Sequence, residues 1–213
     1  MNVFEAIRKG DLAELAGLLA ADPSSAAARD KNGISAVLQA RYHHRPDMVE
    51  AIVACSPPLD LFDAVAAGNT TRVAELLGLD PRIVRDWTAD GFQALHLAVY
   101  FGQANAARIL MEHGADPESV AKNPNQIRPI HAAAASGSLE ALLRVVHRDV
   151  DLDARQQGGF TALHAAAVAG HAGMVKLLLA RGADRTLAND ASQTAADLAR
   201  EKGHGEVLGL LEG

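Results

Sequence analysis

Residues 159–184 read GFTALHAAAVAGHAGMVKLLLARGAD, and the same pattern stands at residues 91–116 as GFQALHLAVYFGQANAARILMEHGAD. Glycine, small residues and Leu or Ile return at fixed places, with an interval near thirty-three residues. A chain of that period is a stack of small helical units, each unable to bury its apolar face without its neighbours. A single-pocket enzyme core has no reason to show such a period.

Working outward from these stretches, an alanine is followed four positions later by a glycine at Ala6 and Gly10, Ala64 and Gly68, Ala98 and Gly102, Ala133 and Gly137, Ala166 and Gly170, and Ala199 and Gly203. Ala40 marks a seventh unit, in which His44 stands in the place of the glycine. A glycine there can end a first helix in the left-handed conformation and let the chain double back into a second helix. The second helices carry the apolar pairs Leu18 and Leu19, Ile52 and Val53, Leu76 and Leu77, Ile109 and Leu110, and Leu177 and Leu178. These are expected to supply the buried stripe.

The motif residues resemble the ankyrin repeat, whose pattern runs from an Asp-x-x-Gly turn through Thr-Pro-Leu-His into two helices and closes on Gly-Ala-Asp. Here the central motif is Gln93-Ala94-Leu95-His96, Arg128-Pro129-Ile130-His131 and Thr161-Ala162-Leu163-His164, and Gly114-Ala115-Asp116 and Gly182-Ala183-Asp184 close two units. The resemblance covers nearly the whole chain. It implies an all-α solenoid of stacked antiparallel helix pairs with short β-hairpin loops. A single domain over residues 1–213 is expected, with approximate repeats at 1–29, 30–58, 59–87, 88–122, 123–155, 156–188 and 189–213.

Departures from the pattern are informative. Only twenty-four residues separate Ala40 from Ala64, so the join at Pro57-Pro58 is expected to lack the usual hairpin and to form an irregular bend over 55–62. A longer period also appears: Phe4, Gly10, Asp22-Pro23, Gly33, Ala40 and Tyr42 return fifty-eight positions later as Phe62, Gly68, Asp80-Pro81, Gly91, Ala98 and Tyr100. Duplication of a two-repeat segment accounts for it. The end units carry charged residues, Arg8, Lys9, Asp11 and Glu14 in the first and Arg200, Glu201, Lys202, Glu206 and Glu212 in the last. They read as caps of a complete array.

Composition narrows the function. Aromatic residues are only 4% of the chain, which argues against an aromatic-lined cofactor pocket, and the net charge of −6 leaves no basic face for nucleic acid. The start MNVFEAIRKGDL is neither a secretory signal nor a membrane anchor, so a cytoplasmic location is expected. Cys55 is the one cysteine, which excludes an internal disulfide and a multi-cysteine zinc site.

Nine histidines raise the question of a metal or catalytic site. His96, His131 and His164 fall one per repeat, and the resemblance implies that each hydrogen-bonds between neighbouring turns. His43 and His44 are adjacent, so on a helix they point about 100° apart and do not share a metal as residues at i and i+4 do. An enzyme using His43, His44 and Cys55 would need an orienting group and an oxyanion hole, and no residues mark either. No catalysis, metal or cofactor is expected. Asn69 reads as a helix cap, Asp22-Pro23 and Asp80-Pro81 as turns, and Gly158-Gly159 as a hairpin tip.

The resemblance implies a concave binding surface built from hairpin tips and the ends of first helices. On that mapping the expected contact residues are Asp86, Trp87, Asp90, Phe92, Tyr100 and Phe101, with Ile34, Tyr42 and His43 on the second unit and Phe160 on the sixth. The alternative is that Trp87 and Phe92 pack on their own hairpin and Phe101 tucks between helices. Residues 58–120 hold four Lys or Arg against nine Asp or Glu, so a partner with a basic or apolar contact segment would complement this region. The reading is a monomeric, non-catalytic protein-binding module; the rival within binding proteins is a dedicated enzyme inhibitor or immunity-type antidote.

Overall fold

The computed structural model describes residues 2–146 and 150–213. They fall into two compact bodies, Met1–Ala94 and Leu95–Gly213. The expected all-α fold is what forms. Among the described residues there is no β-strand, and only the isolated bridges Arg29–Ser35 and Ala188–Thr194 mark the hairpin loops.

The first body contains α1 (Val3–Lys9), α2 (Leu12–Ala21), α3 (Ala36–Tyr42), α4 (Pro46–Ala54), α5 (Leu61–Ala66) and α6 (Thr70–Leu79). Each first helix packs on the next, α1 on α3 and α3 on α5, and α2 packs on α4. Starts are set by side chains that accept otherwise orphaned backbone N–H groups: Asn2, Asp11, Ser35, Asp60 and Asn69 each cap a helix. Ala6, Ala40 and Ala64 are 0% exposed, which is why a small residue recurs there: any larger side chain would push neighbouring first helices apart.

Of the apolar pairs, Leu19, Ile52 and Leu77 are buried while Leu18, Val53 and Leu76 are only half-buried. Adjacent helical residues point in different directions, so one of each pair reaches the core and the other lies at its margin. The fifty-eight-residue period is present in the backbone. Asp22 and Asp80 each take φ −143 and each cap a short 3₁₀ segment, Pro23–Ala27 and Pro81–Arg85.

The join after α4 is irregular, as its short length predicts. Ser56 has φ +53, residues 56–60 carry no regular structure and no hairpin forms there. Side chains tie the join instead. Arg29 pairs with Asp60 at 2.7 Å, the Ser35 hydroxyl donates to Asp63, and Arg72 Nε donates to Leu59 O at 3.3 Å. With no hairpin between them, the loops at 30–34 and 88–92 meet, so that a Cβ on Gly33 would stand 3.4 Å from the Cβ of Ala89.

The second body runs from α7 (Ala94–Tyr100), which begins at its boundary, through α8 (Ala104–Glu112), α9 (Pro129–Ser136), α10 (Leu139–Val145), α11 (Ala162–Val168), α12 (Ala172–Ala180), α13 (Ala195–Lys202) and α14 (Gly205–Glu212). First helices α9, α11 and α13 stack in order, as do second helices α8, α10, α12 and α14. Ala98, Ala133, Ala166 and Ala199 are again 0% exposed. The loops are joined tip to tip: Gln157 N donates to Asn125 O at 3.0 Å and Asp190 N to Gly158 O at 2.9 Å. The tip at Gly158-Gly159 is closed by Gln156 N to Phe160 O at 2.9 Å.

Candidate functional site

The motif histidines sit at the third position of their helices, where a side chain can reach back to the start of its own helix. His131 Nδ1 accepts from Arg128 N at 3.1 Å, and His164 Nδ1 accepts from Thr161 N at 3.2 Å. An accepting Nδ1 leaves the proton on Nε2. From there His131 donates to Ala154 O at 2.8 Å and His164 to Gln193 O at 3.1 Å, each on the following loop. His96 Nε2 lies 3.1 Å from both Ser119 O and Ile127 O. Burial pushes all three imidazoles below the usual range, His96 to about 4. His131 and His164, neutral rings with both nitrogens engaged, hold loops together and have no lone pair for a metal or a substrate proton, and His96 ties its loop through Nε2.

Sequence reading missed Asp63, which stands in α5 at the third helical position that His96, His131 and His164 take in their repeats. It is 5% exposed, and burial together with the charge of Asp60 raises its pKa to about 6, against the Ser35 hydroxyl and Arg29. The register of the motif was the available signal.

Around His43 and His44 the chain turns from α3 to α4. Both side chains are exposed and His44 has φ +54, the left-handed conformation that glycine adopts in the other repeats. Cys55 Sγ turns to Ala51 O of its own helix at 3.7 Å. Among the described residues no group of His, Cys, Asp and Glu is placed to hold a metal ion.

The expected contact residues divide between the two bodies. On the first, Asp86 and His43 are exposed, and Tyr42, Trp87, Asp90 and Phe92 are half-buried. The loop at 88–92 is stiffened from within. Phe92 N donates to Thr88 Oγ1 at 2.9 Å, Thr88 Oγ1 donates to Asp90 Oδ1 at 2.5 Å, and the Tyr42 hydroxyl donates to Asp90 Oδ2 at 2.8 Å. Tyr42 and Asp90 are thereby brought together. Ile34 is different: it is 5% exposed, because its loop folds its own N–H and C=O onto Asp30 and turns the side chain into the core. The expectation that it is presented to a partner is therefore corrected.

On the second body, Tyr100 is 38% exposed and Phe101 half-buried, their ring centroids 5.4 Å apart and tilted by 57°. Phe160 is half-buried against the His164 ring at 5.6 Å. Other exposed apolar side chains that sequence reading did not single out are Leu79 at 81% and Leu139 and Leu143 on α10. No helix among the described residues is long and apolar enough to cross a membrane.

Comparison with known proteins agrees with the repeat geometry. The family model "Ankyrin repeats (3 copies)" matches residues 61–156 and 130–212. The chain is 35% identical over 94 residues to a Caenorhabditis elegans transient receptor potential cation channel subfamily A member 1 homolog, covering 44% of this chain and 8% of that protein. It is 29% identical over 94 residues to the E3 ubiquitin-protein ligase XB3 of Oryza sativa subsp. japonica, covering 44% and 20%. It is 33% identical over 102 residues to the cyclin-dependent kinase 4 inhibitor B of Bos taurus, covering 47% and 74%. The chain thus spans a small part of the first two relatives and most of the third. With the family model covering more than half of the sequence and each buried alanine, capped helix and loop-bridging histidine in its place, the chain belongs to the ankyrin-repeat family, whose repeats mediate protein–protein interaction.

Proposed function

We propose that this chain is a non-catalytic binding module that holds another protein on the side formed by its hairpin loops and first-helix ends, the concave side in the family. In the first body the contacts centre on Trp87 and Phe92, flanked by Tyr42 and His43, with Asp86 and Asp90 as an acidic rim. In the second they centre on Tyr100 and Phe101, with Phe160 further along. The observation that carries the reading is the bond from Tyr42 to Asp90, which fixes the loop bearing Phe92 before any partner arrives. A preordered loop loses little entropy on binding, and half-buried aromatic rings supply large contact area at low cost. The partner is a protein with a basic or apolar contact segment, met in the cytoplasm by a monomer of this chain.

A second reading is a dedicated enzyme inhibitor. It is favoured by the relative named as a cyclin-dependent kinase 4 inhibitor, 74% of which the chain covers. Affinity copurification from the native cell tests both. One stoichiometric enzyme whose turnover falls on binding supports the inhibitor, and several unrelated proteins support an adaptor. Capture of no protein, or turnover by the purified chain that is lost with His43→Ala or Cys55→Ala, contradicts both.

A further inference from the structure

Beside the join between α4 and α5, where residues 56–60 run without regular structure, a buried acid stands in the stack. Asp63 takes the third helical position of α5 and is 5% exposed. At that position His131 and His164 donate forward, to Ala154 O and Gln193 O of the loop that follows them. Asp63 instead accepts from the Ser35 hydroxyl of the unit before it. The contact across the join therefore rests on a group that can gain or lose a proton.

Its surroundings make the charge hard to hold. One guanidinium nitrogen, Arg29 Nη2, serves two carboxylates, Asp60 at 2.7 Å and Asp63 at 3.6 Å. Asp60 belongs to the same turn, since its Oδ1 accepts from Asp63 N at 2.9 Å. Two carboxylates sharing one cation, with one of the two buried, disfavour the doubly ionised state. The other charged groups on the elements around α5 are turned elsewhere. Arg72 of α6 goes to Leu59 O and Glu75, Asp30 accepts from Gln39 and stands in the field of Lys31, and Arg41 lies at the far end of α3. Arg85 and Asp86 are exposed, and Asp90 accepts from Tyr42 and Thr88. Burial and the Asp60 charge hold the Asp63 carboxyl up at about 6.

We propose that this join is a proton-operated hinge: neutral Asp63 keeps α3 and α5 closed on each other, and ionised Asp63 lets the join open more readily and releases the loops that lean on it. Arg29 carries the motion outward, because its Nη1 also donates to Gly33 O at 3.1 Å in the 30–34 loop. Gly33 in turn lies against Ala89 of the 88–92 loop. Opening hydrates the carboxylate and relieves the cost of its buried charge. The sign follows from the proton count: the closed form holds the proton up to about 6 and the open form only to the ordinary 3.8, so opening gains as pH rises between these values and gains no more above them. Pro57 and Pro58, with no backbone N–H, add nothing to hold the join shut. The hinge is independent of the binding role proposed above.

Hydrogen exchange of the full chain at about pH 5 and about pH 7.5, corrected for the intrinsic pH dependence of amide exchange, tests it. Protection at Ala36, Asp63, Ala64 and Thr88, whose bonded N–H groups lie in the helices and loops that the join connects, should fall about tenfold between the two, as the closed and open proton affinities of Asp63 demand. Helices α11 and α13 should not share this fall. Acrylamide quenching of Trp87, the one tryptophan, should rise over the same range. In Asp63→Asn the response should vanish. In Asp60→Asn, which removes the neighbouring charge and keeps a capping side chain, it should move to lower pH, and this variant carries the test if the first does not fold. The His43→Gln, His44→Gln double variant should respond as the parent does. Protection at the join indifferent to pH, an equal fall in α11 and α13, a response kept in Asp63→Asn or unmoved in Asp60→Asn, or one lost with the two histidines would each overturn the proposal.

Discussion

The Tyr42 hydroxyl donates to Asp90 Oδ2 at 2.8 Å across 48 positions of sequence, linking the end of α3 to a hairpin loop that belongs two repeats further on. The contact exists because the repeat between them lacks its own loop. Residues 55–60 run directly from α4 to the start of α5, and the loops at 30–34 and 88–92 close over the gap.

Removing that bond tests the role of the short join. Tyr42→Phe keeps the ring and deletes the donor, so stability should fall by about 0.5–1.5 kcal/mol. Hydrogen exchange should quicken at Thr88 and Phe92, whose N–H groups close the loop. Unchanged exchange there would show that the Thr88 hydroxyl holds the loop alone.

The buried titratable groups predict an acid profile with two opposed parts. His96, His131 and His164 have folded pKa values below the ordinary 6.5, so their contribution is full above that value and is lost as pH falls toward about 4, where His96 titrates. Asp63 runs the other way. Its folded pKa is raised from 3.8 to about 6, so the stability tied to its protonation is full below 3.8 and is lost as pH rises through about 6. Asp63→Asn should therefore be more stable than the parent at neutral pH and should lose stability more steeply on acidification. Urea unfolding across a pH series reads both slopes, and parallel curves would refute the account of Asp63.

His131→Ala removes a ring that bridges its own helix start and the Ala154 carbonyl. A cost of about 1–3 kcal/mol is expected, with partner binding retained wherever the variant is folded. Binding lost in a fully folded variant would make this histidine functional.

The helix ends give a paired test. Gly170 has φ 74, and a Cβ there would stand 2.8 Å from the His204 ring, so Gly170→Ala should destabilise by at least about 1 kcal/mol, with part recovered in combination with His204→Ala. His44 holds φ +54 without being glycine, so His44→Gly should stabilise by up to about 1 kcal/mol. Thermal unfolding measures both, and opposite signs are the expected result.

Much of this was legible in sequence. The alanine and glycine spacing carries helix length and reversal, and the alanines Ala6, Ala40, Ala64, Ala98, Ala133, Ala166 and Ala199 are all 0% exposed because that spacing is a packing constraint. The missing hairpin was legible from a count of residues. What spacing cannot carry is the direction of a side chain within a loop. Ile34 lies a single position after a turn glycine and looked presented, yet Asp30 draws its backbone inward and buries it. Asp90 was read only as a rim charge, yet its carboxylate also accepts from Tyr42 and Thr88 and so orders the loop, a relationship set by the neighbouring loop that no local pattern records.

The central claim is that the aromatic side chains near the loops bind a protein and do not merely complete the core. Calorimetric titration of the copurified partner into the parent and into Trp87→Ala, Phe92→Ala, Tyr100→Ala and Phe101→Ala tests it most directly. The account predicts losses of about 2 kcal/mol or more in binding for at least one residue of each body, with thermal midpoints close to the parent's. Variants that unfold, or that stay folded and bind as tightly as the parent, would contradict it and place the interface elsewhere.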